Sequence, residues 1–180
     1  MTLGVIILGG TVRINDAGES CPDWPTCFGT WGFDISEAEQ EAWYDAHPDE
    51  LDSRGYGHRY STGEIFTEWA HRLVASFSGV VVIAGLLVVR KHRDSLSDAN
   101  WSAAKLALTL VVTQGLMGAI TVRMDNTSWS VVAHLVLALV YATGLLWWWL
   151  VWLRDEDELP DWARLPSGLA GAGEKLVRDS

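Results

Sequence analysis

The chain has 180 residues, of which 49% are hydrophobic and 11 are tryptophan, and it carries a formal net charge of -10. This length fits one domain, and an acidic chain without a basic stripe disfavours a nucleic-acid partner. A sequence that is both apolar and acidic keeps the two kinds of residue in separate segments, and their arrangement here is typical of a membrane protein.

Four apolar segments predict the helices. Residues 1–12 are too short for a full span, and we interpret them as the outer end of a first helix. Three longer segments, residues 73–89, 106–122 and 129–153, contain no Asp, Glu, Lys or Arg. A membrane helix needs about 20 mostly apolar residues, within a range of about 17 to 25. We therefore predict an all-α, multi-pass protein of the cell membrane, with a four-transmembrane-helix bundle over residues 1–153.

Basic residues predict the orientation of this bundle. Arg90, Lys91 and Arg93 lie in the short connection after the second helix, and short basic connections usually face the cytoplasm. Residues 12–66 then form a long extracytoplasmic loop, and residues 154–180 form a flexible, acidic cytoplasmic tail. Within the loop, residues 33–53 predict an acidic helix. Its expected apolar face consists of Ile35, Ala38, Ala42 and Trp43.

The loop contains both cysteines of the chain, Cys21 and Cys27, in the segment CPDWPTC. Extracytoplasmic thiols tend to be oxidised, so we expect a disulfide. Closing so short a loop is worth about 2 to 3 kcal/mol on chain-entropy estimates. We favour a structural staple over the mouth of the bundle, and a redox-active pair is the alternative.

Two histidines lie near the outer ends of the second and fourth helices. We expect the second helix to begin near Thr67 and the fourth near Ser128 or Ser130. His71 and His134 would then each lie roughly 6 Å below a helix start, at one depth. An ionisable residue within a span is costly and marks a functional site, and a pair of imidazoles on facing helices suits heme iron. The alternative is that each histidine hydrogen-bonds a carbonyl or a serine and holds helices together.

The third helix is rich in small and polar residues. Gly115 and Ala119 are spaced for close helix packing. Gln114 is available either to bond across helices or to contact a cofactor.

Four segments together resemble a known family. They are LGGTVRINDAGESCPDWPTCFG at residues 8–29, EWAHRLVASFSG at 68–79, TQGLMGAITVR at 113–123 and VVAHLVLA at 131–138. In this order they look like the amino-terminal half of the heme A synthases, which serve cytochrome oxidase assembly. The resemblance covers most of the membrane part and does not extend into the tail.

The resemblance implies an oxidoreductase that converts heme O to heme A by oxidising the C8 methyl group. It implies two four-helix bundles, of which this chain has the first. A second copy or a separate polypeptide would then supply the other half, or the sequence is a truncated form of a longer one. The implied site residues are Cys21, Cys27, Glu68, His71 and His134, with the histidines as iron ligands. Heme O is the implied substrate, and the implied partners are a homo-oligomer or second half, membrane lipid and a heme O synthase. A heme b is a further cofactor of the family.

Glu68 lies three residues before His71, on the same helix face. Given the resemblance, we predict that its carboxylate is catalytic, stabilising positive charge at the reacting methyl or relaying protons. The alternative is an ion pair with Arg72 at i+4. Arg13, Arg72 and Arg123 fall at the outer rim, where each is available to the heme propionates or to lipid headgroups.

Two other functions compete with the enzyme. A non-catalytic b-type cytochrome, or a heme-binding oxidase-assembly factor, needs the histidine pair but neither Glu68 nor the cysteines. A membrane thiol oxidoreductase usually relays electrons through two cysteine pairs, and this chain has one.

Overall fold

The computed structural model describes residues 1–50 and 53–156, and the regular structure in this part of the chain is helical. The helices are α1 (Thr2–Ile14), α2 (Glu37–Ala46), α3 (Thr62–Lys91), α4 (Asp98–Arg123) and α5 (Ser128–Asp155). Three of them, α3, α4 and α5, are long and apolar enough to cross a membrane, whereas α1 is a shorter apolar helix. Three predicted spans are therefore confirmed, and the first helix has 13 residues in the structure.

Capping boxes begin two of the helices. Ser36 and Glu39 cap each other's backbone N–H groups at the start of α2, and Ser61 and Glu64 do the same at α3. The predicted start of the second helix near Thr67 is therefore wrong by one and a half turns. The predicted serine caps of the last helix are also wrong, because α5 has Thr127 as its N-cap. The Ser130 hydroxyl instead donates to the Thr127 carbonyl at 2.8 Å.

The helices form a ring at one end of the molecule. α1 packs against α3 and along part of α5, and α4 packs against both α3 and α5. α3 and α5 therefore stand across the bundle from each other, with α1 and α4 between them. Because α1 is short, the ring has four members only around the amino-terminal turns of α3 and α5.

Residues 15–50 and 53–61, which we call the cap, fold onto the start of α3. Their apolar core contains the two cysteines with Phe28, Ile35, Tyr44 and Tyr60, and Ile65 of α3 packs into it. The predicted face of the cap helix is partly wrong: Ile35 is buried, but Ala38 and Ala42 are exposed, and α2 buries Gln40 and Tyr44 instead. The Gln40 amide both donates to and accepts from the backbone of Tyr60, at 2.9 Å each. Because both ends of this buried amide have a hydrogen-bond partner, the two bonds hold α2 against the segment at Tyr60.

A polar cluster lies at the end of the bundle opposite the cap. Asp155, near the end of α5, accepts hydrogen bonds from the backbone N–H and hydroxyl of Ser97 and from the Asn100 amide, at 2.9–3.2 Å. The Asn100 amide oxygen in turn accepts from the Trp148 indole at 2.8 Å. These bonds fix the start of α4 against the end of α5. α5 ends at Asp155 and therefore includes the first two residues of the predicted tail. Residues 157–180 of that tail lie outside the described part.

Candidate functional site

Contacts between α3 and α5 repeat with one spacing. The Ser78 hydroxyl and the Tyr141 hydroxyl are 2.9 Å apart, and these residues are separated by 63 positions. One heptad further along each helix, Trp148 lies against Gly85, where a Cβ atom would come within 2.6 Å of the indole ring. A constant separation in sequence means that the two helices run parallel and in register.

The same register places the histidines opposite each other. His71 precedes Ser78 by seven residues, and His134 precedes Tyr141 by seven. Seven residues make nearly two turns, so each histidine shares a face with the residue below it, about 10.5 Å along the axis. The two imidazoles are also close enough to interact electrostatically. His71 and His134 therefore form the uppermost of three layers between α3 and α5.

The predicted depth of the histidines needs correction. Because α3 begins at Thr62, His71 lies nine residues, or about 13.5 Å, beyond the helix start instead of roughly 6 Å. His134 lies six residues beyond Ser128, or about 9 Å. The two histidines still lie at the same level of the bundle. Their level depends on the register of α3 and α5, and not on the distance of each residue from its helix start.

A glycine stands beside each imidazole. A Cβ atom on Gly9 of α1 would lie 3.0 Å from Cε1 of His71, and one on Gly118 of α4 would lie 3.3 Å from Cε1 of His134. Both rings are partly buried. Nδ1 of His71 is fully buried and has no hydrogen-bond partner among the described residues. Each glycine thus lets an imidazole lie close to the backbone of a neighbouring helix. Nδ1 of His71 has a lone pair or proton without a partner among the described residues.

Glu68 is buried one turn above His71, with its side chain 4% exposed. Its Oε1 accepts from the Arg72 guanidinium at 2.5 Å, and its Oε2 accepts from the Ser20 hydroxyl at 3.0 Å and the Cys21 backbone N–H at 2.9 Å. The ion pair with Arg72 that the i+4 spacing allows is therefore present, although it is buried and not exposed. Both oxygens are held, which fixes the carboxylate in one orientation.

Arg72 connects α3 to the cap. Besides Glu68, its guanidinium donates to the backbone carbonyls of Cys21, Asp23 and Thr26 at 2.5–3.0 Å. Cys21 and Cys27 form the predicted disulfide, and both are buried in the core of the cap. The loop between them therefore wraps the Arg72 side chain with its own carbonyl groups.

The other two predicted rim arginines lie apart from this network. Arg13 is exposed at the end of α1, with Asp16 at 3.9 Å. Arg123 is exposed at the end of α4, beside a small polar cavity that Glu19 and Asp125 also line. The structure therefore gathers Glu68, Arg72 and the disulfide loop at one place, and leaves Arg13 and Arg123 on the surface.

Sequence reasoning did not single out Ser20, Gly9 or Tyr141. The signal for Tyr141 was available, because it follows His134 by one heptad as Ser78 follows His71. Ser20 and Gly9 are close to their partners only through the fold of the cap and of α1, which no short-range pattern encodes.

Comparison with protein families identifies the family of the chain. Residues 1–173 match the model of the COX15-CtaA family, described as cytochrome oxidase assembly proteins. The chain belongs to this family. Its membership and its three long apolar helices make it an integral membrane protein.

Similar curated proteins carry the name heme A synthase. The chain is 29% identical to the protein of Shewanella oneidensis over 75% of its own length and 37% of the relative's. It is 28% identical to that of Caulobacter vibrioides over 82% of its own length and 45% of the relative's. It is 28% identical to the Rickettsia bellii protein over 93% of its own length and 50% of the relative's. The chain thus spans about half the length, or less, of these relatives, and no solved structure matches it significantly.

Proposed function

We propose that the chain is one half of a heme A synthase and holds a heme between His71 and His134. The observation that carries the proposal is the register of α3 and α5, in which both histidines stand one heptad above the Ser78–Tyr141 contact. In the proposed reaction, heme O is converted to heme A by oxidation of its C8 methyl group. A heme b would be a further cofactor of the complete enzyme.

The residues around the pair fit a heme. Neutral imidazole is the usual protein ligand of heme iron, and Nδ1 of His71 is buried without a partner in the described residues. Gly9 and Gly118 let the two rings lie close against α1 and α4 without a clash. When bound, the heme iron would supply the redox chemistry. The protein's part is to bind it, orient it and shield it from water beneath the cap.

We propose Glu68 as the catalytic carboxylate, one turn above His71. A fixed negative charge in a partly dry site stabilises positive charge that develops nearby. The guanidinium of Arg72 and the donors from Ser20 and Cys21 hold that charge in place. For heme propionates, we propose Arg13 and Arg123, which are exposed at the rim, ahead of Arg72, whose donors are occupied by the cap.

The proposal also includes the orientation of the chain in the membrane and its partners. We propose that residues 12–66 face the exterior and that the basic connection after α3 faces the cytoplasm. Another copy of the chain, a separate polypeptide or a longer form of the same polypeptide would provide the second bundle of the family. A heme O synthase is the proposed source of the substrate, and membrane lipid surrounds the exposed apolar faces of the long helices.

The test is to purify the full chain from membranes that contain heme O, record the Soret band, and identify the extracted heme by chromatography and mass. Heme O, heme A or a C8-hydroxylated intermediate is the expected result. His71→Ala and His134→Ala should each remove the Soret band. A wild-type preparation that shows no Soret band even after hemin is added would refute the proposal.

A non-catalytic b-type cytochrome or assembly factor is the second candidate, and the bonding of Glu68 favours it. Because both carboxylate oxygens already bind the cap and Arg72, Glu68 has a sufficient structural role. Glu68→Gln separates the two functions. In an enzyme with a catalytic Glu68, this variant keeps the heme and loses conversion, and conversion that survives refutes the catalytic role of Glu68. No conversion and heme b alone in the wild type identify the cytochrome. Ser20→Ala, which removes one neutral donor to the same carboxylate, is the matched control and should still convert.

A further inference from the structure

Aromatic side chains of the cap and of α3 form a cluster on the outside of the bundle. Phe33 of the cap packs against Phe66 and Trp69 of α3, with ring centroids 5.0 Å apart in each pair. The Trp69 indole N–H donates to the backbone carbonyl of Trp31 at 2.8 Å. Trp31 itself is 75% exposed, and Phe66 is 46% exposed. We call Trp31, Phe33, Phe66 and Trp69 the aromatic edge of the cap.

The aromatic edge continues an exposed apolar face of α3. Exposed apolar side chains recur every seven residues along this helix, at Phe66, Leu73, Val80 and Leu87, and each is 46–59% exposed. Seven residues make nearly two turns, so the four side chains lie on one face. α3 is one of the three helices long and apolar enough to cross a membrane. Phe66 therefore belongs both to the aromatic edge and to a face of a membrane helix.

The length of α3 places the aromatic edge at the outer boundary of the hydrocarbon. Trp69 precedes Arg90 by 21 residues, or about 31.5 Å along the helix axis, and the hydrocarbon core of a bilayer is about 30 Å thick. The one charged residue of α3 between them is Arg72, whose guanidinium reaches back to the carbonyl groups of the cap. With Arg90 at the inner boundary, Trp69 and the Trp31 segment bonded to it lie at the outer one.

The opposite side of the bundle has a tryptophan at a similar level. Trp129 of α5 is 58% exposed and lies five residues before His134, or about 7.5 Å above the histidine layer. Trp69 lies two residues before His71, or about 3 Å above the same layer. The difference of about 4.5 Å fits within one headgroup layer, which is about 5 to 7 Å thick. Aromatic residues on opposite sides at one level are typical of a membrane interface, whereas a docked protein would cover one side.

We propose that the aromatic edge seats the cap on the lipid bilayer, with Trp31 and Phe33 at the boundary between the headgroups and the acyl chains. An indole suits this layer because its ring is apolar and its N–H is polar. The aromatic edge contains no basic residue, so the contact requires neutral or zwitterionic lipid and no anionic headgroup. The cap is then held on the α3 side by the helix and by lipid together. This inference requires a membrane and no bound heme.

The experiment measures the depth of nitroxide labels in the purified full chain, reconstituted into phosphatidylcholine vesicles. Trp31→Cys carries the label at the aromatic edge, and both native cysteines are bonded to each other and do not react. Phe77→Cys, at a 59% exposed position of α3, is the lipid reference. Glu41→Cys, at an exposed position of the acidic helix α2, is the water reference. The readout is the ratio of label collisions with oxygen, which partitions into lipid, to collisions with a water-soluble nickel chelate.

We expect the ratio for the Trp31 label to lie between those of the two references. A ratio equal to that of Glu41 would show that the aromatic edge stands in water. A ratio equal to that of Phe77 would show that it lies in the hydrocarbon and not at its boundary. Few collisions with either reagent would show that a second copy or another protein covers it. Each of these three results overturns the inference.

A second measurement decides the matter if the labelled Trp31→Cys protein does not fold. Trp31→Phe keeps an aromatic ring at the exposed position and removes one indole. In phosphatidylcholine brominated near the headgroup end of the acyl chains, tryptophan fluorescence should be quenched less in this variant than in the wild type. Equal quenching in both proteins would refute the contact between Trp31 and lipid.

Discussion

The Ser78 hydroxyl meets the Tyr141 hydroxyl at 2.9 Å in the middle of the bundle, and each residue follows a histidine by one heptad. This bond joins two helices that stand across the ring from each other. Hydrogen bonds between membrane helices contribute about 0.6 kcal/mol on average and up to about 1.7 kcal/mol.

We therefore expect Tyr141→Phe and Ser78→Ala each to lower the free energy of unfolding. A double-mutant cycle in detergent should give a coupling energy within about 0.6–1.7 kcal/mol. Additive single effects would mean that the two hydroxyls do not interact. The same variants should shift the Soret band of the loaded protein, because the layer above loses its support.

Gly9 provides a test of the close packing between α1 and the imidazole of His71. A Cβ atom at this position would lie 3.0 Å from the ring, whereas one at Gly10 would meet nothing within 4 Å. Gly9→Val should therefore reduce hemin uptake, measured by Soret titration, because the branched side chain displaces the imidazole. Gly10→Val is the matched control and should bind as the wild type does. Equal binding by both variants would count against His71 as a ligand.

Arg72 is expected to hold the cap in place. Removing one partner of a buried ion pair costs about 3–5 kcal/mol, because the other charge stays buried. Arg72→Gln should thus expose the backbone of residues 20–27, seen as faster hydrogen exchange and earlier proteolysis. Arg13→Gln, at an exposed arginine with a carboxylate 3.9 Å away, should change neither measurement. An intact, slowly exchanging cap in Arg72→Gln would contradict this role.

Asp155 is expected to stabilise the opposite end. It accepts three hydrogen bonds from Ser97 and Asn100, and bonds to a charged acceptor contribute about 1.5–3 kcal/mol. Asp155→Ala should lower the melting temperature measured by circular dichroism. Asp98→Ala is the control: within the described part of the chain Asp98 pairs with Arg93, whose side chain is 36% exposed, and Asp98 is itself 93% exposed. Surface pairs contribute about 0–1 kcal/mol. Similar losses in both variants would show that the cluster has no special role.

Much of the membrane part could be predicted from the sequence, because length and hydropathy report directly on a span. The residues at which the helices begin were harder to predict. The starts of α2 and α3 are encoded by Ser-x-x-Glu at residues 36–39 and 61–64, a pattern that the expected start near Thr67 overlooked. The error arose because the apolar run, from which we placed the start, begins well inside the helix.

Long-range contacts explain the remaining differences. In the cap, α2 buries Gln40 because the amide bonds the Tyr60 backbone, 20 residues away, and an apolar-face pattern cannot reveal such a partner. Glu68 was expected to act on a ligand, but its bonds to Ser20 and Cys21 depend on how the cap returns to α3. The pairing of Cys21 with Cys27 was predicted, since these are the only two cysteines of the chain.

Arg72 is the residue next to His71, and its guanidinium is enclosed by carbonyl groups of the disulfide loop. The outer surface of the protein and the helical turn that bears an imidazole are consequently one mechanical unit. A protein that bound the disulfide loop would therefore also strain that turn, and under the proposed function it would change how His71 meets a heme.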